Sequence, residues 1–211
     1  MTTKSEELSM PGRSESYGER GLTVVDRFGI YLSRRRILRN LPRNSEWVAL
    51  DVGCGYLATH LRALHPFLVS GVGIDLRISE ESKRISRLSF IESSIECALP
   101  TLSDAAFNLV IMISVLEHMS DPLWVLRECL RVMRPDAVLM INVPTWRGKT
   151  FLEFSAFRLG TSPACEMDDH KMYYDKRDLW PLLVRAGFKP SRVRLCYHKF
   201  GLNLFAVCQK A

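Results

Sequence analysis

The sequence predicts an α/β fold: a doubly wound, seven-stranded sheet, mostly parallel, with one antiparallel strand near the C-terminus. Three observations predict it. Short, nearly continuous apolar runs alternate with helical stretches, the mark of parallel strands covered on both faces. The run at 47–52 passes directly into Gly53-Cys54-Gly55 and then a helix, as the first strand of such sheets does. The last two runs flank Gly201, and a hairpin appended to a parallel sheet contributes one antiparallel member.

The elements follow in order. Residues 1–16 are polar, contain Pro11-Gly12, and read as a loose arm. Leu22 to Leu41 fits a helix with an imperfect apolar stripe and arginines opposite, closed by Pro42. Strands are expected at 47–52 and at 67–74, the latter ending on Asp75, with a helix at 58–64 between them. A polar helix is expected over Ser79–Arg87 and a short strand over Leu88–Glu92. Phe107–Ile113 is apolar on both faces and is the strongest strand signal. Pro122 opens a helix to Val132, and Ala137–Ile141 is a further buried strand. Residues 144–177 are irregular and aromatic-rich; Lys176–Arg185 is helical and stops at Gly187. Ser191–His198 and Leu202–Cys208 complete the strands.

At 211 residues the chain is one domain with decorations. With 47% hydrophobic and 25% charged residues it is neither wholly disordered nor low-complexity. The six cysteines, at 54, 97, 129, 165, 196 and 208, form no CxxC pair, which opposes a zinc site and suits reduced thiols. A polar start and no apolar run of about 20 residues lead to the expectation of a cytoplasmic protein without a spanning helix. No metal is expected, since Asp168, Asp169 and His170 are adjacent and cannot easily converge on one ion.

Charge is uneven. Residues 1–46 hold 9 basic and 6 acidic groups, 47–143 hold 8 and 11, and 144–211 hold 12 and 6. Arg34-Arg35-Arg36 with Arg39 and Arg43 reads first as a solvated helix face and second as a surface for an anionic partner. The absence of a dense basic stripe argues against nucleic acid.

Gly53 and Gly55 let backbone approach a ligand, and the helix that follows offers free N–H groups. Asp75, at the end of the second strand, can accept from a ribose diol. The pattern is a nucleoside-cofactor site. A dinucleotide would place pyrophosphate over this helix, yet the third glycine is absent at Ala58, and Asp51 would repel a pyrophosphate. A carboxylate there suits a cationic partner, such as a sulfonium with an amino-acid tail.

With these residues the sequence resembles the class I S-adenosylmethionine-dependent methyltransferases. Asp51-Val52-Gly53-Cys54-Gly55 is similar to their first motif, and Asp75 to the acid closing their second strand. Phe107–Val110 with Val115–Pro122, and Leu126–Pro135, are similar to their fourth-strand motif and the helix leading to strand five. The resemblance implies a Rossmann-like domain over 47–211, with residues 1–46 as an arm and helical lid and 144–177 as a substrate-side insert. It implies S-adenosylmethionine as cofactor, S-adenosylhomocysteine as product, and contacts from Asp51, Gly53, Cys54, Gly55, Asp75 and Leu76. Ser94, Ile95 and Glu96 would flank the adenine, and Ser114 would close the site. This chain departs from relatives at Leu57, Ser94, Asn108 and Asp136-Ala137.

On this reading the acceptor is a small molecule, and an anionic one suits the flanking arginines. A hydroxyl acceptor needs a base, and His118 and His170 stand in suitable regions, each weighed against a structural role. Tyr17, Trp146 and Tyr173 are candidates for the substrate pocket, against a plain core role. Cys54 reads as packing rather than a nucleophile. His60, His65 and His198 carry no supporting pattern and read as surface or satisfied histidines. N- or C-methylation, an RNA-directed methyltransferase and a nicotinamide-dependent oxidoreductase are the alternatives; the expected state is a monomer or homodimer.

Overall fold

The computed structural model describes residues 15–41, 46–150 and 171–211. Seven strands form one sheet: β1 (Trp47–Val52), β2 (Leu68–Asp75), β3 (Leu88–Glu92), β4 (Phe107–Ile113), β5 (Met133–Pro144), β6 (Val193–His198) and β7 (Asn203–Gln209). Their order is β3-β2-β1-β4-β5-β7-β6. All neighbours are parallel except β7, which runs antiparallel to both β5 and β6. The order reverses between β1 and β4, so a crevice opens above the carboxyl end of β1.

The helices are α1 (Val24–Asn40), α2 (Thr59–Leu64), α3 (Glu80–Lys83), α4 (Ile95–Ala98), α5 (Pro122–Val132) and α6 (Lys176–Ala186). Two apolar layers flank the sheet. On one face Ile95, Val125, Leu126, Leu179 and Leu183 from α4, α5 and α6 pack on Leu50, Val110 and Leu139. On the other, Ile37 of α1 and Leu61 and Leu64 of α2 pack on Ala49, Ile111, Met140 and Phe205. The strands are apolar on both sides because both sides are covered.

Local chemistry sets the boundaries. Thr23 and Asp26 form a reciprocal capping box at the start of α1. Asp175 and Asp178 do the same for α6, which ends at Gly187 with φ 117°. The helix expected over Ser79–Arg87 is a single turn, α3, capped by Ser79. Arg87, at φ 64°, turns the chain into β3 instead. The short α4 lay outside the sequence reading; its signal was Ser94, whose hydroxyl accepts from Cys97 N.

Asn108, one of the departures from the family pattern, ties β4 to the start of β1. Its Oδ1 accepts from Val48 N at 2.7 Å and its Nδ2 donates to Glu46 O at 2.8 Å. Asp136 takes φ 60°, a left-handed position that Asp tolerates better than most residues, and pairs with Arg192 at 3.0 Å. Asn108→Ala should lower the free energy of unfolding by about 1–3 kcal/mol, because both partners lose their bond, and urea denaturation measures it. Asn108→Asp, which keeps the acceptor, should cost less.

Candidate cofactor and acceptor site

The turn after β1 is built for close approach. Gly53 has φ 73°, and a Cβ there would stand 2.3 Å from Val115 Cγ2. Gly55 has φ 74°, and its Cβ would meet Tyr17 O at 3.2 Å. The amides of Gly53 and Cys54 both donate to Ile74 O, at 2.9 and 3.0 Å, which fastens the turn to the end of β2. The Cys54 thiol is buried and its pKa is pushed up by burial and by Asp51 and Asp75, so it is a packing group and not a nucleophile.

Two carboxylates flank this turn. Asp51 is fully buried, and neither carboxyl oxygen has a hydrogen-bond partner. Burial, and then the charge of Asp75, push its pKa well above 3.8. Asp75 is fully engaged: Oδ2 accepts from Gly55 N at 2.7 Å. Its Oδ1 accepts from Leu76 N at 2.8 Å and from the Ser16 hydroxyl at 2.5 Å. Ser16 Oγ in turn accepts from Arg77 N at 2.7 Å. Ser16 was missed in the sequence because it lies in the polar arm, where no periodicity marks it.

The remaining expected cofactor residues lie at the same edge of the sheet. Ser94 caps α4, Ile95 is buried in the layer beneath, and Glu96 is exposed. Ser114, at φ 58°, follows β4 and accepts from Asn142 Nδ2 at 3.4 Å.

On the acceptor side, His118 ends the turn Leu116–His118 and is half-buried. Glu117 is buried, and its carbonyl accepts from Lys171 N at 2.8 Å. Tyr17 meets the glycine turn, where its carbonyl accepts from Tyr56 N at 2.9 Å. Trp146 and Tyr173 pair with each other, ring centroids 5.6 Å apart. Tyr173 is buried while Trp146 is 45% exposed. His170, with Asp168 and Asp169, lies outside the described residues. Among the described residues no cluster of His, Cys, Asp or Glu could hold a metal, and no helix is long and apolar enough to cross a membrane.

Two sequence readings need correction. His65 is a satisfied surface histidine, with Nε2 3.0 Å from Ser86 O. His60 and His198 are not: His60 Nδ1 and His198 Nε2 are buried without a partner. The arginine cluster also divides. Arg34, Arg35 and Arg39 face solvent, whereas Arg36 turns inward, bonds Cys196 and lies over the Phe205 ring. Burial of alternate turns of α1 separates them, and the sequence spacing alone did not.

Comparison with known proteins identifies the class. The family model for the methyltransferase domain matches residues 25–192, and the chain belongs to that family. A Mycobacterium tuberculosis protein named "Probable S-adenosylmethionine-dependent methyltransferase" is 27% identical over 175 residues, covering 81% of this chain and 60% of that protein. The ubiquinone biosynthesis O-methyltransferase of Hahella chejuensis is 33% identical over 159 residues, covering 70% of this chain and 63% of its own length. The chain therefore spans less than two thirds of these relatives. A crystal structure of an S-adenosylmethionine-dependent methyltransferase from Aquifex aeolicus shares the fold, with TM-score 0.61 and 18% identity over 86% of this chain and 92% of that one. The fold is that of the class I S-adenosylmethionine-dependent methyltransferases, and the cofactor is S-adenosylmethionine.

The residues present fit that cofactor. The orphaned Asp51 carboxylate lacks the partner that a cationic amino group would supply, the glycine turn leaves a cradle that a Cβ would fill, and Asp75 already binds a hydroxyl. Asp75→Ala should weaken S-adenosylhomocysteine binding by about tenfold or more by calorimetry, since it removes a charged hydrogen-bond acceptor. Asp51→Asn should weaken it too, yet stabilise the ligand-free protein at pH 7 by on the order of 1–3 kcal/mol. The sign follows from the raised pKa. Below about pH 4 the carboxyl is protonated folded and unfolded alike, and the two proteins match. As pH rises the unfolded chain ionises while the fold resists, so the advantage of Asp51→Asn grows, which melting curves across pH will show.

Proposed function

We propose that this chain transfers a methyl group from S-adenosylmethionine to the hydroxyl oxygen of a small molecule. The observation that carries the reading is the pairing of a sulfonium-compatible cradle at Asp51–Gly55 with a half-buried histidine, His118, at the exit of β4. When bound, the cofactor supplies an electrophilic methyl carbon. Gly53 and Gly55 let the backbone carry it, Asp51 receives its amino end, and Asp75 receives its ribose hydroxyls, displacing or sharing the Ser16 hydroxyl. His118 takes the acceptor proton as the oxygen attacks, since an imidazole is suited to proton exchange at neutral pH. Trp146 and Tyr173 provide the aromatic wall, Tyr17 closes the cradle from the arm, and His170 is a second candidate for the acceptor side.

Oxygen as the acceptor atom is supported by the ubiquinone O-methyltransferases among the relatives, three of which are 31–33% identical over 111–159 residues. The test is tritium transfer from methyl-labelled S-adenosylmethionine to a panel of small phenols, catechols, amines and enolisable ketones. Labelled product from hydroxyl compounds alone supports the reading, and product from amines or ketones alone sinks the oxygen assignment. His118→Ala should lower turnover about 100-fold with unchanged S-adenosylhomocysteine affinity, the size of a lost general base.

A further inference from the structure

β6 ends at His198, and the chain reverses through Lys199, Phe200 and Gly201, at φ 48°, 60° and 85°. Two successive non-glycine residues in the left-handed region is a conformation that L-residues disfavour. The turn leaves Phe200 85% exposed and Lys199 half-buried beneath α1. The Lys199 ammonium lies 3.5 Å from the point where a Cβ would stand on Gly29, so the glycine in α1 leaves room for it.

This turn belongs to the ligand edge of the sheet. Asn203 at the start of β7 lies opposite both Pro144 of β5 and His198 of β6. Thr145 locks the turn in place, its N donating to Leu202 O at 3.0 Å and its Oγ1 to Gly201 O at 2.8 Å. Asn142, two residues before Pro144 on β5, shares the α1 face with Phe205, and the His198 ring stands edge-on to Phe205 at 5.8 Å.

On the α1 side of the sheet several polar groups go unsatisfied. Ser33 Oγ, His60 Nδ1, Asn142 Oδ1 and His198 Nε2 are all buried without a hydrogen-bond partner. Ser33 and Asn142 are fully buried, and His60 is 8% exposed. Buried polar atoms in native proteins are nearly always paired, with protein, water or ligand. Burial, then the Lys199 charge, lower the pKa of His60 to about 4. Burial, Lys199 and Arg36 lower that of His198 to about 4, so both imidazoles are neutral at pH 7. Lys199 feels the charges of Glu117, from the turn after β4, and of Asp26, from α1.

We propose that Lys199, with the unpaired groups of Ser33, His60 and Asn142 on the same side of the sheet, forms the acceptor subsite, and that it takes a small molecule presenting an oxygen anion, phenolate or carboxylate, to the ammonium. The neutral imidazoles and the amide then meet the acceptor's uncharged polar groups. This rests on the methyl-transfer reading above and names its substrate class. It also explains why a lysine stands in a strained turn under a helix glycine: the arrangement holds a cation at the sheet edge.

The test is calorimetry on the full chain saturated with S-adenosylhomocysteine. The probes are 3,4-dihydroxybenzoate, 2,4-dinitrophenolate, benzoate and neutral benzamide. Anionic probes should bind and benzamide should not; benzoate against 2,4-dinitrophenolate tells carboxylate from phenolate. Lys199→Met should weaken the anionic probes about tenfold or more, and Lys199→Arg should keep most of the affinity. S-adenosylhomocysteine affinity should be the same in all three proteins, which also reports that the variants fold. In the wild type, burial has lowered the Lys199 pKa to about 8, so benzoate affinity should fall as pH rises through that value. Equal probe affinity in wild type and Lys199→Met, or no pH dependence of benzoate binding, overturns the subsite. So does S-adenosylhomocysteine binding with no probe binding, while the methyltransferase reading stands. Absence of S-adenosylhomocysteine binding overturns that reading itself, and the subsite with it.

Discussion

The Asp75 carboxylate joins three parts of the chain that have no other reason to meet. One oxygen receives the Gly55 amide from the turn after β1, and the other receives Leu76 N and the Ser16 hydroxyl. Each is a hydrogen bond to a charged group, the strong kind in a partly dry setting. Remove the carboxylate and the glycine turn keeps only its two bonds to Ile74 O, while the arm loses its fixing point. The crevice over β1, the seat of Tyr17 on Gly55 and the position of Arg77 beneath Glu19 all follow from it.

A second constraint works by omission. Asp51, Ser33, His60, Asn142 and His198 carry buried polar atoms that the described protein does not pair. Folding such groups without partners costs stability, and a sheet of this size with two apolar layers can bear that cost. Asp51 stands on β1, beside the place where the order of strands reverses and where a ligand would supply what is missing. The opposite edge shows the contrast: there Asn108 has both its amide groups satisfied by Val48 and Glu46.

Much of the fold was legible because its signals are local. Leu88–Glu92, Phe107–Ile113 and Pro122–Val132 are strand, strand and helix within the limits that apolar runs and Pro122 indicate. The single antiparallel strand follows from the hairpin around Gly201. Ser79–Arg87 misled because its polar composition suits a helix, whereas Arg87 reverses the chain. In the site, Gly53, Gly55 and Asp75 were readable since a motif spaced along one strand–turn–helix unit carries its own geometry. Ser16 was not, for it reaches Asp75 across 59 positions of chain. Nor was the group under α1. Its members come from α1, α2, β5, β6 and the turn after it, and no local pattern in the sequence links them. The one local hint was a Lys-Phe-Gly turn, which marks a reversal but not its chemistry.

A crystal structure of the full chain with S-adenosylhomocysteine tests the central claim most directly. The account predicts the cofactor's amino group within hydrogen-bond reach of Asp51, its ribose hydroxyls on Asp75, and the glycine turn unchanged beneath it. A ligand bound elsewhere, or one at this edge with Asp51 still unpartnered and Asp75 still held by Ser16 alone of its hydroxyl partners, would contradict it.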